Sequence, residues 1–336
     1  MSMSVLPPLL LSRDRPSDVA RLDRNGALHR VRAGVYVQAA AWSALAPWQR
    51  YRVRVQAVTA TWSDPVLCLE SAAAEIGLPV FGEPREIHLL SSNGRSWREG
   101  DVVVHGTRDE RSVLARDGIR MTSVADTAVD LCRVLPPAFA LAVADAALRM
   151  PAGEDAPAGS LDVAALGRGR SDRRGRRQLD WVGRRATAAA ESTGESVSRA
   201  VIEWLGFEEP ELQREHRHEG ALDRTDFFWA RTRTIGESDG YGKYDAADAD
   251  ASKAHFIEEK KREDRLRRHE GGFARWDWAD AMRAEPLGGK LNAAGLSPVH
   301  RRRSAFLATL AANPRSFAPR TRGSRARPGA GPRVSA

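Results

Sequence analysis

Hydrophobic and polar positions follow two different periods along this chain, and the changes of period predict its secondary structure. Near the start, Ser17 can cap a short helix that Gly26 ends. The alternation over residues 28–37 then predicts a hairpin with its turn at Ala33–Gly34. A helix followed by a hairpin is typical of the end of a winged helix-turn-helix. We therefore predict a reduced winged-helix module over residues 1–45.

The following hundred residues mix helical and strand patterns. Pro47 can begin a helix, and Gly77 followed by Pro79 can end another. We predict strands over 86–90 and 102–105 and amphipathic helices over 122–133 and 138–149. These elements indicate a mixed α/β middle domain over residues 46–150.

Arginine is concentrated in two stretches. Residues 301–336 carry nine arginines and no acid, so the formal net charge of +8 leaves −1 for the other 300 residues. Eight more arginines lie in the stretch from Arg168 to Arg185, both end residues included. Both stretches lack apolar periodicity, which predicts a flexible linker over 151–186 and a flexible basic tail over 286–336. Such segments bind DNA phosphates by releasing counterions, or only keep the chain soluble, and composition leaves both interpretations open.

Candidate chemistry lies in the third part of the chain. Two strand-like runs flank a polar turn centred between Arg231 and Thr232, which predicts an antiparallel hairpin. In that register Asp226 faces Glu237, and the period of two places Asp239 on the same side as Glu237. Three carboxylates repel one another unless a cation or a shared proton compensates. Hard oxygen ligands suit Mg²⁺ or Mn²⁺, which activate water and neutralise charge on a phosphate.

This region resembles the PD-(D/E)XK nucleases, and in particular an endonuclease-like domain related to the very-short-patch repair endonuclease. The resembling segments are residues 191–196, 210–213, 224–229, 235–240, 243–244 and 259–264. The resemblance implies a restriction-endonuclease-like α/β/α domain over 187–285. It further implies that Asp226 and Glu237 hold the metal, that Glu195 approaches from the first helix, and that Asp239 or Lys243 completes the catalytic site. Asp239 stands where that family has lysine, so Lys243 has to supply any lysine that orients water.

The first half of the chain is similar to the AbiEi family of type IV antitoxins, in residues 22–36 and 117–131. The resemblance implies that the N-terminal module binds promoter DNA and that a cognate toxin is a partner. Arg30 and Arg32 occupy positions expected to face phosphates, and their spacing of two places both on one face of a strand.

Several of these residues also have plain structural interpretations. Glu195 stands three positions after Ser192, as in a capping box. The charged helix over 249–270 is by default a solvated surface, although Lys260, Lys261 and Arg262 could instead contact the DNA backbone. Residues 236–240 fit the nucleophile elbow G-x-S-x-G, but no helix pattern follows the serine at once, so esterase chemistry is not expected. His216 and His218 lack further metal-ligand spacing, and we interpret them as strand-surface residues.

Together these patterns predict an α+β protein of the toxin-antitoxin or defence type that acts on DNA. Metal-dependent hydrolysis of phosphodiester bonds is the first hypothesis. A noncatalytic DNA-binding antitoxin or regulator with a degenerate nuclease fold is the second. With two distant cysteines and no apolar run of membrane-spanning length, we expect a cytoplasmic protein without membrane insertion.

Overall fold

A computed structural model describes residues 6–14, 16–91, 93–150, 161–239 and 249–318, with side chains in the last range described from residue 258 onward. The described residues form an α+β structure with three sheets. Lys243, residues 151–160 and residues 319–336 lie outside these ranges.

The N-terminal elements include the predicted helix and hairpin, but Ser17 lies inside the helix and does not cap it. They are β1 (Leu10–Leu11), α1 (Pro16–Arg24), β2 (Leu28–Arg32) and β3 (Val35–Gln38), and the sheet order is β1-β3-β2. Gly34 has a φ of +73° in the tight turn between β2 and β3, a conformation that favours glycine. A β-bulge between Arg30 and Arg32 interrupts the strand.

The middle of the chain combines a six-stranded sheet with five helices. In chain order the elements are α2 (Ala39–Ala44), α3 (Pro47–Thr59), β4 (Val66–Leu67), α4 (Leu69–Ile76), β5 (Ile87–Leu90), β6 (Trp97–Glu99), β7 (Val102–His105), β8 (Val113–Arg116), β9 (Ile119–Thr122), α5 (Val124–Val134) and α6 (Pro137–Leu148). The sheet order is β6-β7-β5-β4-β9-β8. Pro47 begins α3, and Gly77 ends α4 in the left-handed conformation, as predicted. The helix predicted over residues 138–149 is present as α6, but the prediction that it is amphipathic is wrong, because residues 138–148 are all buried.

The prediction of a flexible linker fails between residues 161 and 186. This stretch contains α7 (Val163–Arg168) and α8 (Arg176–Gly183). Leu179 and Val182 of α8 are buried, and Gln178 Nε2 donates hydrogen bonds to the carbonyls of Cys132 and Leu135. The few apolar residues of α8 stand among many arginines, so no periodicity was evident in the sequence. They form a short apolar stripe that packs α8 against the helices of the middle domain.

The third sheet carries the candidate chemistry. The sheet and the two helices that pack on it are, in chain order, α9 (Thr193–Leu205), β10 (Glu211–His218), β11 (Ala221–Trp229), β12 (Thr234–Asp239), α10 (Ala249–His269) and β13 (Gly272–Asp277). The strands lie in the order β10-β11-β12-β13, with β10, β11 and β12 antiparallel and β13 parallel to β12.

A helix covers each face of this sheet. Phe228 and Ile235 pack with Leu266 of α10. On the other side, Trp276 belongs to the main core and donates a 2.8 Å hydrogen bond from its indole nitrogen to Ser198 Oγ of α9. The α9 and α10 layers therefore enclose the strands between them.

The prediction of a flexible tail also fails up to residue 318. This stretch contains α11 (Trp278–Arg283), α12 (Glu285–Ala293), α13 (Ser304–Leu307) and a 3₁₀ helix (Ala308–Leu310). The chain then returns to the middle domain, where Arg85 N donates to Arg315 O and Arg315 forms an ion pair with buried Glu70. Within the described residues, no helix is long and apolar enough to cross a membrane.

Candidate active site

The predicted hairpin register is confirmed. Phe227 pairs with Gly236 and Phe228 with Ile235. The paired register ends there, and Asp226 and Glu237 are the next residues along the two strands, close enough for the charge of Asp226 to act on Glu237. The backbone N–H of Ser238 donates a 2.8 Å hydrogen bond to Asp226 Oδ2, which orients that carboxylate beside its neighbour. We refer to Asp226 and Glu237 as the acidic pair.

Glu237 is a buried carboxylate with a perturbed pKa. Its side chain lies under α10, where Arg262 Nη2 approaches Glu237 Oε1 at 2.8 Å. Burial is the largest cause that raises the pKa of Glu237, to about 7, and repulsion from Asp226 raises it further, while Arg262 opposes both. Arg275 also opposes the rise, so the two arginines offset the effects of burial and of Asp226 only in part.

Asp239 joins a neighbouring charge cluster rather than the acidic pair itself. Its Oδ1 lies 3.6 Å from Arg275 Nε. The same guanidinium also pairs with Glu259 and Glu263 of α10, at 3.0 and 3.2 Å. Burial raises the pKa of Asp239, and Arg275 opposes that rise. The predicted convergence of three carboxylates is thus divided into a pair and one arginine-bound neighbour.

Glu195 lies on α9, in the layer on the other face of the sheet, and its bonds are to residues other than the acidic pair. Its backbone N–H donates to Ser192 Oγ, and its carboxylate accepts a 2.9 Å hydrogen bond from the backbone N–H of Glu191, so it completes a capping interaction at the start of α9. The carboxylate also accepts a 2.9 Å hydrogen bond from Gln213 Nε2. Gln213 has a φ of +53° and is the residue that the β10–β11 register places opposite Asp226. Gln213 belongs to the segment 210–213 that resembles the nuclease family, but its position in the sequence did not indicate that it would bind Glu195.

The predicted DNA contacts of α10 divide by orientation. Lys260 and Lys261 are exposed on the helix surface and pair with Asp264 and Glu258. Arg262 is turned inward and pairs with Glu237, unlike the two lysines before it.

Arg30 and Arg32 lie on β2 of the N-terminal sheet. Because the bulge between them shifts the register, the spacing of two no longer places both on one face. Ser238, the serine of the elbow-like motif, lies inside β12 with Asp239 continuing the strand, which is not the turn that an elbow requires.

The interpretation of His216 and His218 as strand-surface residues is wrong for His216. His216 is 5% exposed, and both rings contact one carboxylate oxygen of Glu270 at 3.0 Å. Glu270 is more than fifty residues away along the chain, so no local spacing could indicate it.

The pKa of Glu237 leads to a testable pH dependence. Its ordinary value is 4.5 and its folded value about 7, so the folded state binds the proton more tightly. This contribution to stability is complete below pH 4.5 and is lost as the pH rises through 7. At about 1.4 kcal/mol per tenfold change in proton affinity, the loss amounts to roughly 3 kcal/mol. Glu237→Gln is therefore expected to raise the melting temperature at about pH 8.5 and to match wild type near pH 4.5.

Glu263→Gln is the matched control for that measurement. Burial opposes ionisation of Glu263, but the bond from Arg267 and the charge of Arg275 outweigh it and lower its pKa. Its ionised form therefore stabilises the fold above pH 4.5, and Glu263→Gln should lower the melting temperature at about pH 8.5. A Glu237→Gln chain that melts below wild type at that high pH would contradict the strained acidic pair.

Comparison with known proteins gives relatives but no activity. No protein-family model matches the chain. Two proteins of Mycobacterium tuberculosis, named "Uncharacterized protein MT2308" and "Uncharacterized protein Rv2248", are each 33% identical to it over 201 residues, which span 59% of this chain and 68% of theirs. The chain therefore belongs to the family of these uncharacterized mycobacterial proteins.

Proposed function

We propose that the protein is a DNA-directed phosphodiesterase of the endodeoxyribonuclease type, with the acidic pair as its metal-dependent catalytic centre. The observation that carries the proposal is the placement of Asp226 and Glu237 on facing strands, where burial and mutual repulsion raise the pKa of Glu237 to about 7. Perturbed carboxylates of this kind are frequent at functional sites. The α9–β10–β11–β12–α10–β13 order, with a helix on each face of the sheet, supports a restriction-endonuclease-like domain.

The donor set fits Mg²⁺ or Mn²⁺. Two carboxylates that repel each other form a site whose charge a divalent cation would compensate more fully than Arg262 and Arg275 do. Asp226 and Glu237 would hold the ion. When bound, such an ion lowers the pKa of water and neutralises charge on a scissile phosphate.

The protein's own groups supply the positioning. Ser238 N–H fixes Asp226 Oδ2, and Gln213 ties Glu195 to the strand position opposite Asp226. For Glu237 to bind a cation, the Arg262 guanidinium would have to turn away from it. Arg262 also pairs with Glu259 at 3.0 Å, so it would keep an acidic partner after that movement. Lys243 is proposed to orient the attacking water, in place of the lysine that Asp239 replaces. It lies outside the described residues.

Exposed cations beside this site favour DNA as the substrate. Lys260 and Lys261 lie on the outer surface of α10, just before Arg262 in the chain. Positive side chains in such positions neutralise phosphates and fix the register of a duplex without reading its sequence. Residues 319–336 add further arginines to the charge available for DNA.

A second function is favoured by two features of the site. Arg262 already pairs with Glu237, and aspartate replaces lysine at position 239. Both features suit a noncatalytic antitoxin or regulator of the AbiEi type, which would bind DNA through the N-terminal module and Arg30 and Arg32, and which would have a toxin as partner.

Incubation of the full chain with supercoiled plasmid separates the two functions. We expect nicked and linear DNA in Mg²⁺ or Mn²⁺ and intact plasmid in EDTA. Retarded but uncut plasmid in all three conditions would refute the nuclease proposal and support the regulator.

A further inference from the structure

A second group of metal-ligating side chains lies apart from the acidic pair. His216 Nδ1 and His218 Nε2 each lie 3.0 Å from Glu270 Oε1, and the ligand atoms of the three residues all fall within 4.8 Å of one another. We call these three residues the histidine cluster. His216 and Glu270 are buried at their side chains, and the His218 side chain is 20% exposed.

Two distant segments build this cluster. His216 and His218 are two apart on β10, so both rings project from one face of the strand. Glu270 directly follows the last residue of α10 and precedes β13. The cluster therefore joins the edge strand of the sheet to the C-terminal end of the helix that covers it.

The surrounding contacts orient the ligands. His216 Nε2 lies 3.1 Å from Thr225 Oγ1, and a proton on Nε2 donated to that hydroxyl leaves Nδ1 with a lone pair directed toward Glu270. Arg233 Nη2 lies 3.0 Å from Glu270 Oε2, so the guanidinium neutralises the second carboxylate oxygen and leaves Oε1 to the histidines. The His218 ring stacks on His269 with centroids 4.4 Å apart.

Two of the three ligand-atom separations are close to those of a tetrahedral metal site. Zinc bonds to nitrogen and oxygen of about 2.0–2.1 Å place neighbouring ligand atoms about 3.3 Å apart. The two 3.0 Å separations have to open by only a few tenths of an ångström, and the widest separation of up to 4.8 Å has to shorten. Rotation of the partly exposed His218 ring can supply that change.

We propose that His216, His218 and Glu270 bind one Zn²⁺ ion, with water in the fourth position. Two imidazoles and one carboxylate are a donor set for zinc or a similar transition metal rather than for Mg²⁺. The ion would fasten the end of α10 to β10 and so hold the helix that presents Arg262 to the acidic pair. The zinc site stands independently of the nuclease proposal.

Zinc binding by the full chain tests the proposal. After removal of metals with EDTA, isothermal titration calorimetry with Zn²⁺ should show in wild type a site whose affinity does not depend on the acidic pair. Removing a residue that hydrogen-bonds to a metal ligand weakens metal binding by about 10–100-fold. Removing a ligand itself, as in His218→Asn, should therefore weaken zinc binding by about 100-fold or more. His300→Asn, which changes an exposed histidine outside the cluster, and Glu237→Gln, which alters the acidic pair, should retain wild-type affinity.

Co²⁺ absorption provides a second measurement that does not depend on a variant's folding. Co²⁺ replacing zinc in wild type should give the intense visible bands of a tetrahedral site, and Zn²⁺ should abolish them. Absence of those bands, or equal zinc affinity in wild type and a folded His218→Asn chain, would overturn the proposal and leave the cluster as a hydrogen-bonded network. Retained zinc binding in Glu237→Gln together with absent DNA cleavage in wild type would refute the nuclease function alone.

Discussion

Asp226→Asn and Glu237→Gln are each expected to lower metal-dependent DNA cleavage by about 10³-fold or more, equivalent to about 4 kcal/mol of transition-state stabilisation. Both changes remove a negative charge from the acidic pair while keeping the size of the side chain. In the Asp226→Asn variant, the amide oxygen of the new side chain would still accept the hydrogen bond from Ser238 N–H. The loss should therefore arise in catalysis and not in folding, as measured by initial rates of plasmid nicking beside circular dichroism spectra.

Ser238→Ala is the matched control for those rates. Ser238 lies between the acidic pair and Asp239, but it supplies only its backbone N–H to Asp226. Its variant should cut DNA at nearly the wild-type rate. Undiminished cleavage in Asp226→Asn and Glu237→Gln would remove the pair from catalysis. A loss of activity in Ser238→Ala alone would instead support the hypothesis that Ser238 is the nucleophile of an elbow motif.

Arg315→Ala is expected to destabilise the folded protein by about 3–5 kcal/mol at neutral pH. Glu70 is buried, with a side chain only 4% exposed, and Arg315 pairs with both of its oxygens, including a 2.7 Å bond from Nη2 to Oε2. Burial opposes ionisation of Glu70, but the hydrogen bonds and charge of Arg315 lower its pKa. Without the arginine, a buried charge loses its main compensation.

Urea unfolding at two pH values checks this effect. Because the pKa of Glu70 is lowered, the pair stabilises the fold above the ordinary value of 4.5 and loses that effect as the pH falls. The cost of Arg315→Ala should therefore shrink at low pH. Arg302→Ala, which breaks the exposed pair with Glu285, should cost at most about 1 kcal/mol. Equal and small effects of the two variants would contradict a packed C-terminal segment.

Local patterns predicted the hairpin of the candidate site because its register depends on a short turn. The two strands meet across Ala230–Arg233, so placing the turn determined which residues face each other. The same reasoning correctly placed Pro47 at a helix start and Gly77 at a helix end, where the backbone requirement lies within a few residues.

Charge was less informative, because the partners of charged residues are set by tertiary structure. The arginine-rich stretches were predicted to be flexible, although Arg185 pairs with Glu203 and Arg315 with Glu70, 245 residues away. For the same reason the sequence did not indicate that Arg262 pairs with Glu237. The sequence gives the number of charged residues, but the fold determines which of those residues are paired within the protein and which can contact a ligand.

The central claim is that Asp226 and Glu237 hold a divalent cation, and Mn²⁺ binding measured by electron paramagnetic resonance tests it most directly. Wild type, Ser238→Ala and Glu237→Gln share the same histidine cluster, so a difference in bound Mn²⁺ between these full chains reports on the acidic pair. We expect equal binding in wild type and Ser238→Ala and the loss of one bound ion in Glu237→Gln. The same number of ions bound with the same affinity in all three chains would contradict the claim.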